Sequence, residues 1–293
     1  MTVEYAVIGS PIAHSLSPTI HNAIFQHEGR DARMVALDPG SADELEGLLD
    51  TWLTEKTYAG LAVTAPYKPL IAHVDGQLSE AVLMLDVANT LTLRAGSLGE
   101  TADDGTGSDA HWRIDNTDVA GFISAIEQLI SPLQYRTFMV FGTGATARTI
   151  IYALIKQGAA TIQVVGRSRE KVEACLSIFD DTGCSEVVAT TVPPGKHFDC
   201  AIDATSLGLS AQDNLVFPIS WFEEYAATVF DVVYRPQSST PLIKECRDRK
   251  IPAMDGREML YAQAVAQAKL WGATSDPEEL MGVVCDACEQ ELA

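Results

Sequence analysis

The sequence predicts an α/β protein of two domains, an N-terminal, mainly parallel α/β domain and a doubly wound second domain. Three observations lead there. Strand-like and helix-like segments alternate along the whole chain with no internal repeat, the pattern that builds parallel sheets covered by helices. At 293 residues and 47% apolar composition the chain exceeds one typical domain and supplies material for two buried cores. A compact strand at Thr137 to Phe141 runs into a glycine turn, a helical pattern and a β-branched run at Thr161 to Val165, which together form one βαβ unit.

The first strand, Tyr5 to Ile8, breaks at Gly9 into Ser10-Pro11-Ile12-Ala13-His14-Ser15-Leu16-Ser17-Pro18. Pro18 suits a first helical turn, where its missing donor costs nothing, and Ser17 is the expected N-cap before it. The helix then runs from Pro18 to His27, with His14 expected in the turn and His21 on the helix surface. A strand end that brings hydroxyls and free backbone donors to a positive helix terminus suits a small carboxylate or phosphate. Capping and turning alone account for the same serines equally well.

Ala32 to Leu37 reads as a strand, Ala42 to Leu53 as an amphipathic helix and Gly60 to Val63 as a short buried strand. A helix-like segment precedes a further strand at Asn89 to Leu93. Between Arg94 and Trp112 the chain turns polar, with Gly, Ser, Thr and acidic residues, which predicts a solvated hairpin excursion. Past Asp118 a helical pattern reaches Leu129, and after the strand at Thr137 to Phe141 another runs from Arg148 to Gln157. Cys200 to Asp203 reads as a strand, and the last long helix pattern spans Met259 to Trp271, ahead of a helical tail.

Composition excludes several classes of function. Twenty basic against forty acidic residues give a net charge of -20, which opposes binding to nucleic acid or to anionic membranes, so an anionic substrate must meet a local positive site. No segment approaches the roughly 20 apolar residues of a membrane span, and no basic region precedes an apolar segment at the N-terminus, so a cytoplasmic location is expected. The six cysteines are scattered and absent from the first half, which argues against a disulfide framework. Cys285 and Cys288 form a CxxC with no second Cys or His pair nearby, and read as ordinary thiols on a terminal helix rather than a metal site.

The turn Gly142-Thr143-Gly144-Ala145-Thr146-Ala147 stands where a dinucleotide pyrophosphate sits in a Rossmann domain, with alanines in place of the customary third glycine. A purely structural turn is the competing reading. After the second strand comes Gly166-Arg167-Ser168-Arg169-Glu170-Lys171, where NAD-selective sites place an acidic residue. Cations crowd this turn of an otherwise acidic protein, which favours NADP over NAD; a solvated helix start is the plainer alternative.

Three further segments follow or end expected strands and offer polar groups where α/β sheets place ligands. They are Val63-Thr64-Ala65-Pro66-Tyr67-Lys68, Asn89-Thr90 and Asp115-Asn116-Thr117-Asp118. With them the chain resembles the shikimate dehydrogenase family over nearly its whole length. The motifs occur in order: Ser15 and Ser17, the VTxPxK segment ending at Lys68, the NT pair, Asn116 to Gly121 and the glycine turn. Ala204-Thr205-Ser206-Leu207-Gly208, Asp231-Val232-Val233-Tyr234 with Pro236, Thr240-Pro241-Leu242, and Asp255-Gly256 with Met259-Leu260 and Gln263 complete the series.

The resemblance implies NADP-dependent interconversion of 3-dehydroshikimate and shikimate. By position, Ser15 and Ser17 hold the substrate carboxylate, Thr64, Asn89 and Gln263 bind its hydroxyls, and Lys68 and Asp118 form the catalytic pair. Tyr234 stands near substrate, although an aromatic core role fits it as well. Gly142, Gly144 and Ala145 carry the pyrophosphate, Arg167 and Ser168 the 2′-phosphate, and Thr205 and Ser206 lie near the cofactor. The chain departs from the family pattern at Ala62 where Asn is usual, at Asp86 where Gly is usual, and at Gly166-Arg167-Ser168 where NRT is usual.

A relative acting on quinate or another cyclohexane carboxylate is the nearest alternative, and a non-catalytic sensor of shikimate-like acids is the alternative from a different class. The methylenetetrahydrofolate dehydrogenases share the two-domain plan but lack the SxS and NTD pattern. The expected organisation is a discontinuous substrate and catalytic domain of residues 1–117 with 257–293, and a Rossmann NADP-binding domain of residues 118–256. The expected partners are small molecules only, with neither nucleic acid nor membrane, and the expected assembly is a monomer or homodimer.

Overall fold

The computed structural model describes residues 2–95, 110–180, 187–190, 197–235 and 237–292. Its backbone divides into two compact units, residues 1–117 with 263–293, and residues 118–262.

In chain order the first unit begins β1 (Val3–Ile8), α1 (Ser17–His27), β2 (Ala32–Leu37), α2 (Ala42–Glu55), β3 (Gly60–Val63) and α3 (Lys68–Ile71). It continues with β4 (Gly76–Leu78), α4 (Glu80–Leu85), β5 (Thr90–Ala95) and β6 (Ala110–Asp115). The six strands form one sheet in the order β2-β1-β3-β5-β6-β4. All run parallel except β5, which is antiparallel to both neighbours.

Every residue of β3 is buried, as is Tyr5 to Ile8 of β1, because both faces of the central strands are covered. Ala6, Ile8, Leu61 and Val63 point to one core with Leu45, Leu49 and Trp52, whereas Tyr5, Val7 and Ala62 point to the other with Phe25 and Trp271. Trp271 leaves no room for a side chain at Gly60, and its indole N–H donates to Leu91 O at 3.2 Å.

The helix expected to start at Ser17 as cap has Leu16 in that position, so Ser17 is the first helical residue. Ser15 Oγ accepts the Ser17 N–H at 3.3 Å, which moves the capping contribution two residues upstream. His21, expected on the surface, is fully buried, because it shares the face that buries Ile24 and Phe25, three and four residues on. Of the polar stretch from Arg94 to Trp112, the flanks form the antiparallel β5–β6 ladder, and residues 96–109 lie outside the described residues.

The second unit comprises α5 (Asp118–Leu129), β7 (Thr137–Phe141), α6 (Ala145–Lys156), β8 (Thr161–Val165), α7 (Arg169–Leu176), β9 (Val187–Thr190) and β10 (Phe198–Asp203). Then come α8 (Ile219–Tyr225), β11 (Ala226–Asp231), α9 (Pro241–Arg249), β12 (Ala253–Met254) and α10 (Arg257–Leu270). Gln263 onward in α10, with α11 (Pro277–Leu292), belongs to the first unit. The sheet order is β12-β11-β10-β7-β8-β9, with every pair parallel. That is the doubly wound Rossmann order, and its direction of travel reverses between β7 and β10.

Helix α6 begins at Ala145, three residues before the expected Arg148, because Gly144 itself takes the cap position. Cys285 and Cys288 lie on α11. Among the described residues no helix is long and apolar enough to cross a membrane, and no group of His, Cys, Asp and Glu side chains is arranged to hold a metal ion.

The second unit contains a buried carboxyl whose ionisation couples to stability. Asp231 ends β11 beside Asp203 of β10, accepting Val233 N–H at 3.0 Å and Thr240 Oγ–H at 2.5 Å. Burial pushes Asp231 up from 3.8 to about 7; the hydrogen bond from Thr240 opposes this, and the charges of Asp203 and Asp255 add to it. The native state therefore keeps a proton that the unfolded chain has released. Its contribution is complete below about pH 3.8 and is lost as pH rises through about 7. Asp231→Asn is expected to gain melting temperature relative to the unsubstituted protein as pH is raised from about 5 to 8. A difference independent of pH in paired calorimetric scans contradicts this.

Candidate active site

In the first unit the polar segments converge on one edge of the sheet. The register sets Ile8 beside Val63, Ala62 beside Thr90 and Thr90 beside Asp115. The carboxyl ends of β1, β3 and β6 and the amino end of the reversed β5 therefore lie at the same edge, where open α/β sheets bind ligands.

Backbone hydrogen bonds tie these ends together. Thr64 N–H donates to Ile8 O at 2.8 Å, Ser10 N–H to Ala65 O at 3.2 Å, Val63 N–H to Asn89 O at 2.8 Å and Ala88 N–H to Lys68 O at 3.0 Å. Gly9 is required here, since a side chain on it would overlap the Thr64 methyl. Ser15 and Ser17 follow β1, Thr64 and Lys68 follow β3, and Lys68 opens α3 with its side chain partly buried.

Asn89 and Gln263 meet directly, with Asn89 Nδ2 at 3.5 Å from Gln263 Oε1 and 3.0 Å from Thr117 Oγ1. Thr117 N–H returns a bond to Asn89 Oδ1 at 2.8 Å. Asp118, the next residue, opens α5 and is buried. A carboxylate in the first turn of a helix is favoured by the positive end of the helix dipole.

The second unit gathers its segments at the carboxyl ends of β7, β8, β10 and β11. Gly142 follows β7 with φ +115°, and a Cβ there would lie 2.8 Å from Ala204 O, so this glycine is demanded by the protein's own switch point. Gly144 caps α6 with φ -76° and nothing within 4 Å of a Cβ built on it. Neither its backbone nor its neighbours require glycine, whereas a ligand lying on the exposed N–H groups of α6 does. The residues present thus fit a dinucleotide pyrophosphate on Gly142, Gly144 and Ala145.

At the end of β8, Arg167 is exposed and makes no hydrogen bond or ion pair among the described residues. Its neighbour Arg169 is held by Glu173 at 2.8 Å, which raises the guanidinium pKa. Ser168 caps α7, accepting Lys171 N–H at 3.4 Å and donating to Glu170 at 2.6 Å, so its hydroxyl already has local partners. Thr205 and Ser206 follow β10, where Thr205 N–H donates to Asp203 and Thr205 Oγ1 accepts Leu207 N–H at 3.1 Å. Tyr234 follows β11, partly buried, and Pro236 of the same motif lies outside the described residues.

The substrate-binding-domain model of shikimate dehydrogenase matches residues 7–91. The NADP(+) shikimate dehydrogenase of Syntrophobacter fumaroxidans is 31% identical over 277 residues, covering 94% of this chain and 90% of the relative. The chain belongs to the shikimate dehydrogenase family. The Prochlorococcus marinus shikimate dehydrogenase (NADP(+)) is 28% identical across 98% of this chain and 97% of its own. The crystal structure of Aquifex aeolicus shikimate dehydrogenase superposes with a TM-score of 0.80 at 25% identity, covering 97% of each chain.

Motif reading did not find every buried polar group in this shikimate dehydrogenase fold. His21 and Gln267 join the network behind Asn89: His21 Nε2 is 3.1 Å from Gln267 Oε1, and Gln267 Nε2 donates to Thr90 Oγ1 at 2.9 Å. The available signal was a polar residue on an apolar helical stripe, His21 with Ile24 and Phe25, and Gln267 with Ala264, Ala268 and Trp271.

Proposed function

We propose that this chain is an NADP-dependent shikimate dehydrogenase that transfers hydride reversibly between NADPH and the carbonyl of 3-dehydroshikimate. The observation that supports this best is the convergence of Ser15, Ser17, Thr64, Lys68, Asn89 and Gln263 on one sheet edge, in a member of this family.

In this reading the serines receive the substrate carboxylate beside the first turn of α1, and Thr64, Asn89 and Gln263 receive the ring hydroxyls. Gly142, Gly144 and Ala145 hold the pyrophosphate. Arg167 meets the 2′-phosphate, with Ser168 shaping the turn and Thr205 and Ser206 alongside. Bound NADPH supplies the hydride. As the carbonyl carbon is reduced its oxygen becomes an alkoxide, which the Lys68 ammonium stabilises and then protonates. Asp118 accepts a hydrogen bond from the neighbouring hydroxyl. Tyr234 is included in the substrate-binding set on its place in the family motif alone.

The same proposal includes the functional labels of the two domains, a cytoplasmic location, small molecules as the only partners, and a monomeric or homodimeric enzyme. Its test is reduction of 3-dehydroshikimate by NADPH with the product identified by NMR. Shikimate formed in step with cofactor oxidation is expected, and absence of cofactor oxidation argues against the reading.

A further inference from the structure

The turn after β8 carries carboxylates among its cations, and they hold groups that a phosphate would otherwise use. Strands β7 and β8 are parallel neighbours that end level, with Phe141 beside Val165. Gly166 then packs against the glycine turn: a Cβ on it would lie 2.8 Å from Val172 Cγ2 of α7 and 3.1 Å from Thr143 Cγ2. The start of α7 is thereby set beside Gly142 and Gly144.

Both sides of the Ser168 hydroxyl are engaged within this turn. Its Oγ accepts Lys171 N–H at 3.4 Å and donates its proton to Glu170 Oε2 at 2.6 Å. That hydrogen bond holds the exposed Glu170 carboxyl below the usual glutamate range, so it is ionised near pH 7. Arg169 is already paired with Glu173, one helical turn on, at 2.8 Å. Arg167 and Lys171 are exposed on the same turn.

A phosphate and a hydroxyl ask opposite things of such a turn. A phosphate monoester carries a charge of about -1.5 to -2 at neutral pH and takes donors and cations. Ser168 has one proton, so it cannot donate to Glu170 and to a phosphate at once. A ribose hydroxyl has a proton to give, and a carboxylate just past the second strand is the acceptor that NAD-selective sites provide.

We propose that Glu170 is a cofactor-specificity residue: held by the Ser168 hydroxyl at the start of α7, its carboxylate opposes the 2′-phosphate of NADP and offers an acceptor to the 2′-hydroxyl of NAD. This chain then prefers NADP by a narrower margin than its cations alone would set. The proposal rests on the reading that the turn after β8 meets the 2′-phosphate. A glutamate in the first turn of a helix also complements the helix dipole, but that role moves stability and not the ratio of the two cofactor affinities.

The test is calorimetric titration of the full chain with NADP and with NAD, at low ionic strength and again near 1 M, where the screening length is about 3 Å. Glu170→Gln keeps the length of the side chain and an acceptor for Ser168 while removing the charge. It is expected to tighten NADP about fivefold at low ionic strength and to weaken NAD about twofold, so that the ratio of the two Kd values moves about tenfold. Near 1 M salt the gain for NADP is expected to fall below about twofold. Arg167→Ala, measured alongside, is expected to weaken NADP about tenfold and to leave NAD within about twofold.

A ratio of Kd values that stays within about twofold of the parent's, or equal tightening of both cofactors, would overturn the proposal and leave Glu170 with helix capping alone. Were Arg167→Ala to bind NADP like the parent, the turn would not meet the 2′-phosphate, and that reading and this proposal would fall together. A loss at Arg167 with no change of ratio at Glu170 defeats the proposal alone.

Discussion

Lys68→Ala is expected to lower shikimate turnover by about three orders of magnitude, with NADPH affinity changed by no more than about twofold. Protonating the nascent alkoxide contributes about 10²–10⁴ in rate, and stabilising its charge before protonation adds to that. The substitution is local. The tie between this segment and β5 runs through the Lys68 carbonyl, which accepts Ala88 N–H at 3.0 Å whatever the side chain is. Lys68 also sits at the start of α3, where alanine is well tolerated. Steady-state kinetics with NADPH binding by fluorescence quenching check the outcome. Equal losses in turnover and cofactor affinity make Lys68 a structural residue, and full activity removes it from the chemistry. A sensor of shikimate-like acids needs no proton donor, so the size of the rate loss also separates an enzyme from that alternative.

Substituting the two glycines of the cofactor turn should give opposite phenotypes. Gly144→Val is expected to leave the melting temperature within about 2 °C and to weaken NADP binding at least a hundredfold, since the new side chain fills space that the protein leaves open at the start of α6. Gly142→Val is expected to destabilise the second unit by several kcal/mol, because it combines a left-handed backbone at φ +115° with a Cβ 2.8 Å from Ala204 O. Thermal scans with and without NADP separate the two. If Gly144→Val binds NADP like the parent, the pyrophosphate does not lie on this turn.

The strands that were legible in the sequence are those buried on both faces. Gly60 to Val63 and Thr161 to Val165 are short apolar or β-branched runs, and their limits match β3 and β8 because nothing but a central strand suits such runs between turn residues. Strands β4 and β12, of three and two residues, are too short to carry a period of two and are defined by their neighbours' hydrogen bonds. The reversal of β5 was not visible either, since an alternating pattern is the same in both directions.

At the site, the motif segments singled out Ser15, Lys68, Asn89 and Gln263 as candidates, whereas His21 was expected on the helix surface and Gln267, which carries no motif, was not singled out. Ser17 was placed at a cap on propensity, and Leu16 takes that position because the upstream Ser15 hydroxyl supplies the acceptor.

The most direct measurement is the initial rate of nicotinamide reduction by the purified protein with shikimate and quinate, each paired with NADP and NAD. Dominant activity with shikimate and NADP is the predicted result. Preference for quinate or for NAD, or no activity in any of the pairings, would contradict the assignment.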